Sequence, residues 1–345
     1  MTIGVLSPPT SNPTQKDVAR LAQVSQTSVS AVMRGDFAHT RVNQETRERI
    51  LEAARQLNYR LNISARAIRE RRSFNLGYFT ASNDPMEWDH PALRTGVFEE
   101  ASLHQYNILL LRLRQNADSL SESLPRIFTQ SHLDGLIVNV FSQLDEDIAA
   151  AMRDTGLPIV FANMRRRHNA VYVDEFHAVR QFIDHVIEQG YQSAAYLAND
   201  VDHEHYSATD RREAFRRDCE HAGLRTSALN VKRKGADEPI RRWTESLPPK
   251  TAVLCYDSTL ALIFQRICLQ IGRALPGDLA FAFFNETNPT QFVADPTLIQ
   301  PPFMQLGRES VRMLMELIEQ GHGARLPARA VQSRLLKHDT IPAAG

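Results

Sequence analysis

Two hydrophobic periods divide the chain. Between Lys16 and Tyr59 apolar residues return every three or four positions: Val18, Leu21 and Ala22; Val29, Val32 and Met33; then Ile50, Leu51, Ala54 and Leu57. That spacing draws one apolar stripe along a helix and predicts three short helices. Gln23-Val24-Ser25 separates the first two, its serine suited to N-cap the second, and Asn43 is suited to cap the third, within 42–59. The second helix, Gln26–Met33, would leave Gln26, Thr27, Ser28, Ser30 and Ala31 outward. From Phe74 onward short apolar runs (FNLGYFTAS, YNILLLRL, LDGLIVNV, LPIVFAN, NAVYVDE, SAAYLAND, TAVLCYDS, LAFAFFNE) alternate with longer amphipathic stretches, 119–132 among them. Strand–helix alternation predicts a parallel, doubly wound α/β sheet.

Two short helices joined by a tight turn, the second with a small polar outer face, form a helix-turn-helix. Such a helix fits the major groove of B-DNA, which is about 12 Å wide. On this pattern alone, a helical hairpin that merely packs reads the same way. The third helix is followed by Arg60–Ser73, RLNISARAIRERRS, dense in arginine and without a long apolar stripe. Taken together, KDVA.LA.VS..SVS.V..G, V..ETRERILEAA..L.Y and N..AR.I resemble the lactose-repressor (LacI/GalR) family of bacterial transcription regulators, across three helices and the hinge in order.

The resemblance implies a small all-α helix-turn-helix head at 14–59, a hinge at 60–73, and a periplasmic-binding-protein-like body at 74–345. That body would comprise two doubly wound parallel-sheet lobes for effector binding and dimerisation. Residues 1–13, rich in Pro, Ser, Thr and Asn, are expected to be a disordered tail. Gln26, Thr27 and Ser28, on the first turn of the second helix, are expected to touch bases. Lys16, Arg34 and Arg41 are expected on phosphates, which set register and affinity but not sequence. Family members commonly carry an arginine for guanine where Ala31 stands, so a different base preference there, or compensation by Arg34, is expected. The connection DFAHTR is longer than is usual in the family. In the hinge, Asn62, Ala65, Arg66 and Ile68 match a short helix that forms on operator DNA and wedges an apolar side chain into the minor groove. Ile68 holds the wedge position, usually leucine, and Leu61 replaces the family's proline. A solvated arginine linker is the other reading, and it suits 69–73 better.

Charge sharpens this picture. The chain is neutral overall, but residues 1–73 carry twelve Lys or Arg against six acids, a net +6 that leaves −6 on the remainder. A basic head on an acidic body is the layout of a DNA binder that keeps its body off the phosphates. Cys219, Cys255 and Cys268 show no ligand spacing and are expected to be buried thiols of a reducing cytosol. The N-terminus lacks the basic start and apolar core of a signal peptide, and no apolar run approaches the ~20 residues of a membrane span. A cytoplasmic protein without a membrane role is expected.

In open parallel sheets ligands bind beyond the carboxyl ends of strands. Ser82, Asp84 and Trp88 follow the first strand; Asn139, Asn163, Asp200, Asp257 and Asn285 end later ones. Amides and carboxylates suit hydroxyl pairs, and an aromatic face suits apolar ring hydrogens. The resemblance adds Arg211 as the effector-clamping arginine. It matches Asp257 to a strand-end acid, with Tyr256 in place of asparagine, and puts Asn285 where an acid usually holds ligand. The effector site expected is therefore Ser82, Asp84, Trp88, Asn139, Arg211, Asp257 and Asn285, each open to a loop-cap role instead. His203-Glu204-His205 lacks a spaced third metal ligand, and Arg165-Arg166-Arg167 reads as a solvated face. No Gly-rich phosphate loop, nucleophile elbow or Ser/Cys–His arrangement is present, so no enzyme, metal or cofactor is expected.

These observations converge on a homodimeric transcription regulator, a repressor by expectation, on a pseudo-palindromic operator. A small-molecule effector, a sugar or derivative first and a purine or nucleoside second, would bind between the lobes. Only KHDTIPAAG follows Leu336, with no heptads, so a dimer rather than a tetramer is expected. A solute-binding transport protein would share the body, but would need a signal peptide and no basic head.

Overall fold

The computed structural model describes residues 13–34, 42–59, 70, 72–81, 90–113, 133–140, 146–199, 205–232, 234–285, 292, 295–321 and 323–344. The tail at 1–12, the connection at 36–41, the hinge at 60–69 and the helix expected at 119–132 lie outside them. The chain forms two compact units, Met1–Arg72 and Ser73–Gly345.

The first unit contains α1 (Gln15–Ala22), α2 (Gln26–Arg34) and α3 (Gln44–Gln56). Local chemistry sets each helix start. Thr14 Oγ1 accepts from the Asp17 amide while the Asp17 carboxylate accepts from the Thr14 amide, a reciprocal capping box. Ser25 Oγ accepts from the Ser28 amide at 3.1 Å, and Asn43 Oδ1 from the Thr46 amide at 2.9 Å. Gln23, left-handed at φ 55°, ends α1 and turns the chain into α2. Val18, Ala22, Val29, Val32, Ile50, Ala54 and Tyr59 form the core. Two expectations are corrected. Leu21 is 47% exposed because Ala19 and Ala22 carry the buried stripe instead, and Ala31, expected outward, is only 3% exposed, its single methyl being easily covered. Thr14→Ala should cost about 1 kcal/mol locally, read as roughly fivefold faster hydrogen exchange of the α1 amides.

The second unit holds two six-stranded sheets. The first lobe contributes β1 (Asn75–Ala81), α4 (Pro91–Leu103), β2 (Asn107–Leu113), β3 (Gly135–Val140), α5 (Glu146–Asp154), β4 (Ile159–Ala162) and β5 (Ala170–Val173). The chain then enters the second lobe through α6 (Glu175–Glu188) and β6 (Ser193–Asn199), followed by α7 (Tyr206–His221), β7 (Arg225–Val231) and α8 (Asp237–Ser246). β8 (Thr251–Cys255), α9 (Ser258–Gln270), β9 (Leu279–Phe284) and β10 (Thr297–Gln300) complete that stretch. α10 (Phe303–Gln320) and β11 (Arg329–Val331) return to the first lobe, and β12 (Arg334–Leu336) goes back to the second. Three connections therefore join the lobes. The strand orders are β11-β5-β4-β3-β1-β2 and β12-β10-β9-β8-β6-β7, parallel except where β12 pairs antiparallel with β10.

Apolar runs became central strands because both faces of a parallel sheet are covered: every residue of β3, β6, β8 and β9 is buried. α4 and α10 cross so closely that a Cβ on Gly96 would overlap the Met304 carbonyl, and one on Gly307 the Leu93 carbonyl. β7, α8, β10, β11 and β12 were not anticipated. β7 is an edge strand of mostly exposed residues, α8 buries only Ile240, Trp243 and Thr244, and β11 and β12 have three residues each. Among the described residues no helix is long and apolar enough to cross a membrane. All three cysteines are buried; burial pushes the Cys219 and Cys268 thiols up to about 12.

Candidate DNA-reading and effector sites

In the head, α2 presents Gln26 and Thr27 to solvent at its first turn, the end a recognition helix directs at base edges. Ser28 is half-buried, and its hydroxyl lies 2.9 Å from that of Ser25, so it shares in the cap. Lys16 is exposed on the first turn of α1. Arg34 ends α2. Its side chain, Arg41, and the hinge residues Asn62, Ala65, Arg66 and Ile68 lie outside the described residues.

In the body, several strand ends converge where the lobes meet. Arg211, on α7 and 6% exposed, holds a two-pronged ion pair with Glu175 at the start of α6: Nε donates to Oε2 at 2.7 Å and Nη2 to Oε1 at 2.9 Å. Its Nη1 donates to the Tyr256 carbonyl at 3.2 Å, and its Cζ lies 3.5 Å from the Phe284 ring centroid. Burial pushes the Glu175 carboxyl up against the pull of Arg211. Burial also disfavours the Arg211 cation, but Glu175 more than offsets this and holds it charged. The family resemblance singled out Arg211; its partner Glu175 was not anticipated.

Asp257 N-caps α9, its Oδ1 accepting from the Leu260 amide at 2.8 Å, while its Oδ2 accepts from Asn199 Nδ2 at 3.0 Å. Asn139 is buried and donates to Tyr78 Oη at 2.8 Å. Asn285 is half-buried just past β9, its amide donating to the Ile299 carbonyl. Ser82, Asp84, Trp88 and Asp200 lie outside the described residues.

A chain of hydrogen bonds spans the lobes. Asn163, left-handed at φ 56° after β4, offers its carbonyl to His205 Nε2 at 2.7 Å. A carbonyl can only accept, so Nε2 carries the proton. Burial, with Arg211 and His90 acting in the same direction, pulls His205 down to about 4, so at neutral pH Nδ1 is bare. Nδ1 then accepts from the Ser207 hydroxyl at 2.9 Å, and Ser207 Oγ accepts from the Tyr256 hydroxyl at 2.8 Å. The proton order thus runs Tyr256 to Ser207 to His205 to Asn163. Beside it, Arg165 reaches Asp210 with 2.7 and 2.6 Å contacts from Nη1. The Tyr206 hydroxyl accepts from the Val173 amide and donates to Asn163 Oδ1. His205 caps α7 and serves this chain; among the described residues no group of three or more His, Cys, Asp or Glu could hold a metal ion.

Residues 14–62 match the model of the lacI family of bacterial regulatory proteins, and residues 183–339 that of periplasmic binding protein-like domains. The chain carries a head of the lacI family and a periplasmic-binding-protein-like domain. This regulator is a DNA-binding transcription protein with a helix-turn-helix head and a two-lobed body. It is 23% identical over 312 residues to the transcriptional regulator RegA of Clostridium saccharobutylicum, covering 88% of this chain and 92% of that one. With the HTH-type transcriptional repressor PurR of Haemophilus influenzae strain PittEE it shares 25% identity over 317 residues, covering 88% and 91%. The lac repressor dimer solved on operator with the anti-inducer ONPF gives a TM-score of 0.72 at 20% identity, covering 96% of this chain and 100% of that one, a likeness of fold. Both curated relatives are named as transcriptional regulators.

Proposed function

We propose that this regulator is a cytoplasmic repressor that binds a pseudo-palindromic operator as a homodimer, with affinity set by a small molecule held between its lobes. The division into a head at 14–59, a hinge at 60–73 and a body at 74–345 goes with this reading. The observation that carries it is the capped helix-turn-helix, with Gln26 and Thr27 open on the first turn of α2. Two-fold protein symmetry is mirrored in two-fold operators. An effector that prefers one lobe arrangement shifts the population toward it. The Arg165–Asp210 and His205–Asn163 contacts are the bonds such a rotation would have to remake. Because Glu175 already balances Arg211, a neutral hydroxylated ligand, a sugar or derivative, is favoured over an anion, with a purine or nucleoside second.

Selection from random duplexes, read by fluorescence anisotropy at two salt concentrations, tests the reading. Enrichment of a palindrome with a steep salt slope is the expected result; no duplex binding with or without candidate sugars and purines would end it. On the selected site Gln26→Ala should lose about 1–3 kcal/mol while barely altering binding to random duplex. Equal losses on both would remove Gln26 from base reading.

A further inference from the structure

The chain passes between the lobes three times, and each crossing is short. Asp174 alone separates β5 from α6, Pro301-Pro302 separate β10 from α10, and Gln332-Ser333 separate β11 from β12. β5 and β11 are the last two strands at one edge of the first sheet, and β10 and β12 the last two at one edge of the second. The three crossings therefore lie beside one another, and a turn of one lobe against the other is taken up by the torsions of these few residues. They are not equally free. The proline ring fixes φ and restricts the residue before it, so the second crossing has little backbone freedom. It is held further by Phe303 and Leu306, whose amides donate to the Pro301 and Pro302 carbonyls at 3.0 and 2.9 Å. The first crossing is bonded to the third, since the Asp174 amide donates to the Val331 carbonyl at 2.8 Å. Asp174 Oδ1 also caps α6 by accepting from the His177 amide.

On the second-lobe side one side chain grips the third crossing. Gln181, half-buried on α6, donates from Nε2 to the Ser333 carbonyl at 3.0 Å and accepts at Oε1 from the Leu335 amide at 3.2 Å. A carboxamide has one acceptor end and one donor end, so it can bond a carbonyl and an amide of the same main chain at once and fix where β12 begins. These bonds join residues 152 and 154 positions apart. Ser333 is buried, whereas Gln332, between the held Val331 and Ser333 carbonyls, is exposed. We propose that Gln181 is the positioning residue of the interlobe joint, a role that rests on lobe rotation being the route of effector control. It ties the third crossing to α6, so that the first and third crossings turn together, and it leaves Gln332 as the pivot. α6 also begins with Glu175, the partner of Arg211, so one helix carries both the buried ion pair at the lobe junction and the grip on the joint.

The test is the interlobe distance in the full chain, read by pulsed electron–electron double resonance between nitroxides on Thr95→Cys and Asn230→Cys, one exposed position in each lobe. Cys219, Cys255 and Cys268 are buried and stay unlabelled, and excess unlabelled chain confines the reading to distances within one chain. With both hydrogen bonds lost, Gln181→Leu should raise the population of a second interlobe distance about tenfold. Gln332→Gly, which touches neither bond, should broaden the distance through the added backbone freedom of glycine. Thr244→Val removes the buried hydroxyl bond to the Ile240 carbonyl inside α8; it should lower the urea midpoint and leave the distance as it is. An unaltered distance in Gln181→Leu would overturn the proposal. So would the same altered distance in Thr244→Val, which would reduce Gln181 to general stability. An unaltered distance in Gln332→Gly would overturn Gln332 as the pivot. Affinity for the selected duplex separates the joint from the regulatory reading. A changed distance with changed affinity supports both, whereas a changed distance with unchanged affinity keeps the joint and removes lobe rotation from the control of DNA binding.

Discussion

Glu175→Ala should destabilise the body by about 3–5 kcal/mol, the cost of leaving one member of a buried ion pair without its partner. Arg211 is 6% exposed and Glu175 2% exposed, so water cannot replace the lost carboxylate. The remaining contacts of Arg211 are the Tyr256 carbonyl and the faces of Phe284 and Tyr256, which accept a cation but do not neutralise it. The double variant Glu175→Leu with Arg211→Met should lose much less, because neither charge is then stranded. Urea unfolding followed by far-UV circular dichroism measures both. A single variant no worse than the double would show that the pair is not the buried bond described. Effector response should be altered in both variants, since Arg211 stands at the junction of the lobes.

Acid should weaken the body through His205. An unfolded histidine titrates near 6.5, whereas in the fold burial holds His205 down to about 4. The unfolded chain therefore binds the proton more readily. The stabilisation is intact above about pH 6.5, is lost as pH falls through the window down to about 4, and is level below it. Between pH 7 and pH 5 this amounts to about 2 kcal/mol. The structural reason is the proton order: Nδ1 must be bare to accept from Ser207 while Nε2–H holds Asn163. His185, also pulled down by burial, pushes the same way. The informative quantity is thus the difference between the unmodified protein and His205→Asn, from urea unfolding at the two pH values. The variant should lose about 2 kcal/mol less on acidification; identical pH dependence in both proteins would remove His205 from this role.

Sequence by itself determined the elements whose causes are local or repeated. Thr14, Ser25 and Asn43 fix three helix starts through hydrogen bonds reaching only three residues along the chain. The central strands β3, β6, β8 and β9 are buried on both faces, so they had to be written as unbroken apolar runs. The edge strand β7 has one face in water and reads as polar text, and β11 and β12 are strands only because distant sheets accept them. Burial within α2 was misjudged at Ala31 because a methyl group carries too little signal to show which side it takes.

At the site, residue type was legible and partnership was not. Asp257 could be named from its place after a strand, and Arg211 from the family resemblance. The groups that engage them, Glu175 lying 36 positions before Arg211 and Asn199 lying 58 before Asp257, could not. His205 sat in a short H-x-H, and only the approach of Asn163, 42 residues earlier, made it a bridge between lobes. The arginine run 165–167 was uniform as text and was divided by folding, Arg165 to an interlobe bond and Arg166 over the Phe161 ring. Helix periods and caps are set by neighbours along the chain, so the sequence carries them openly. Ion pairs and proton order are set by neighbours across space, so only the tertiary structure decides them.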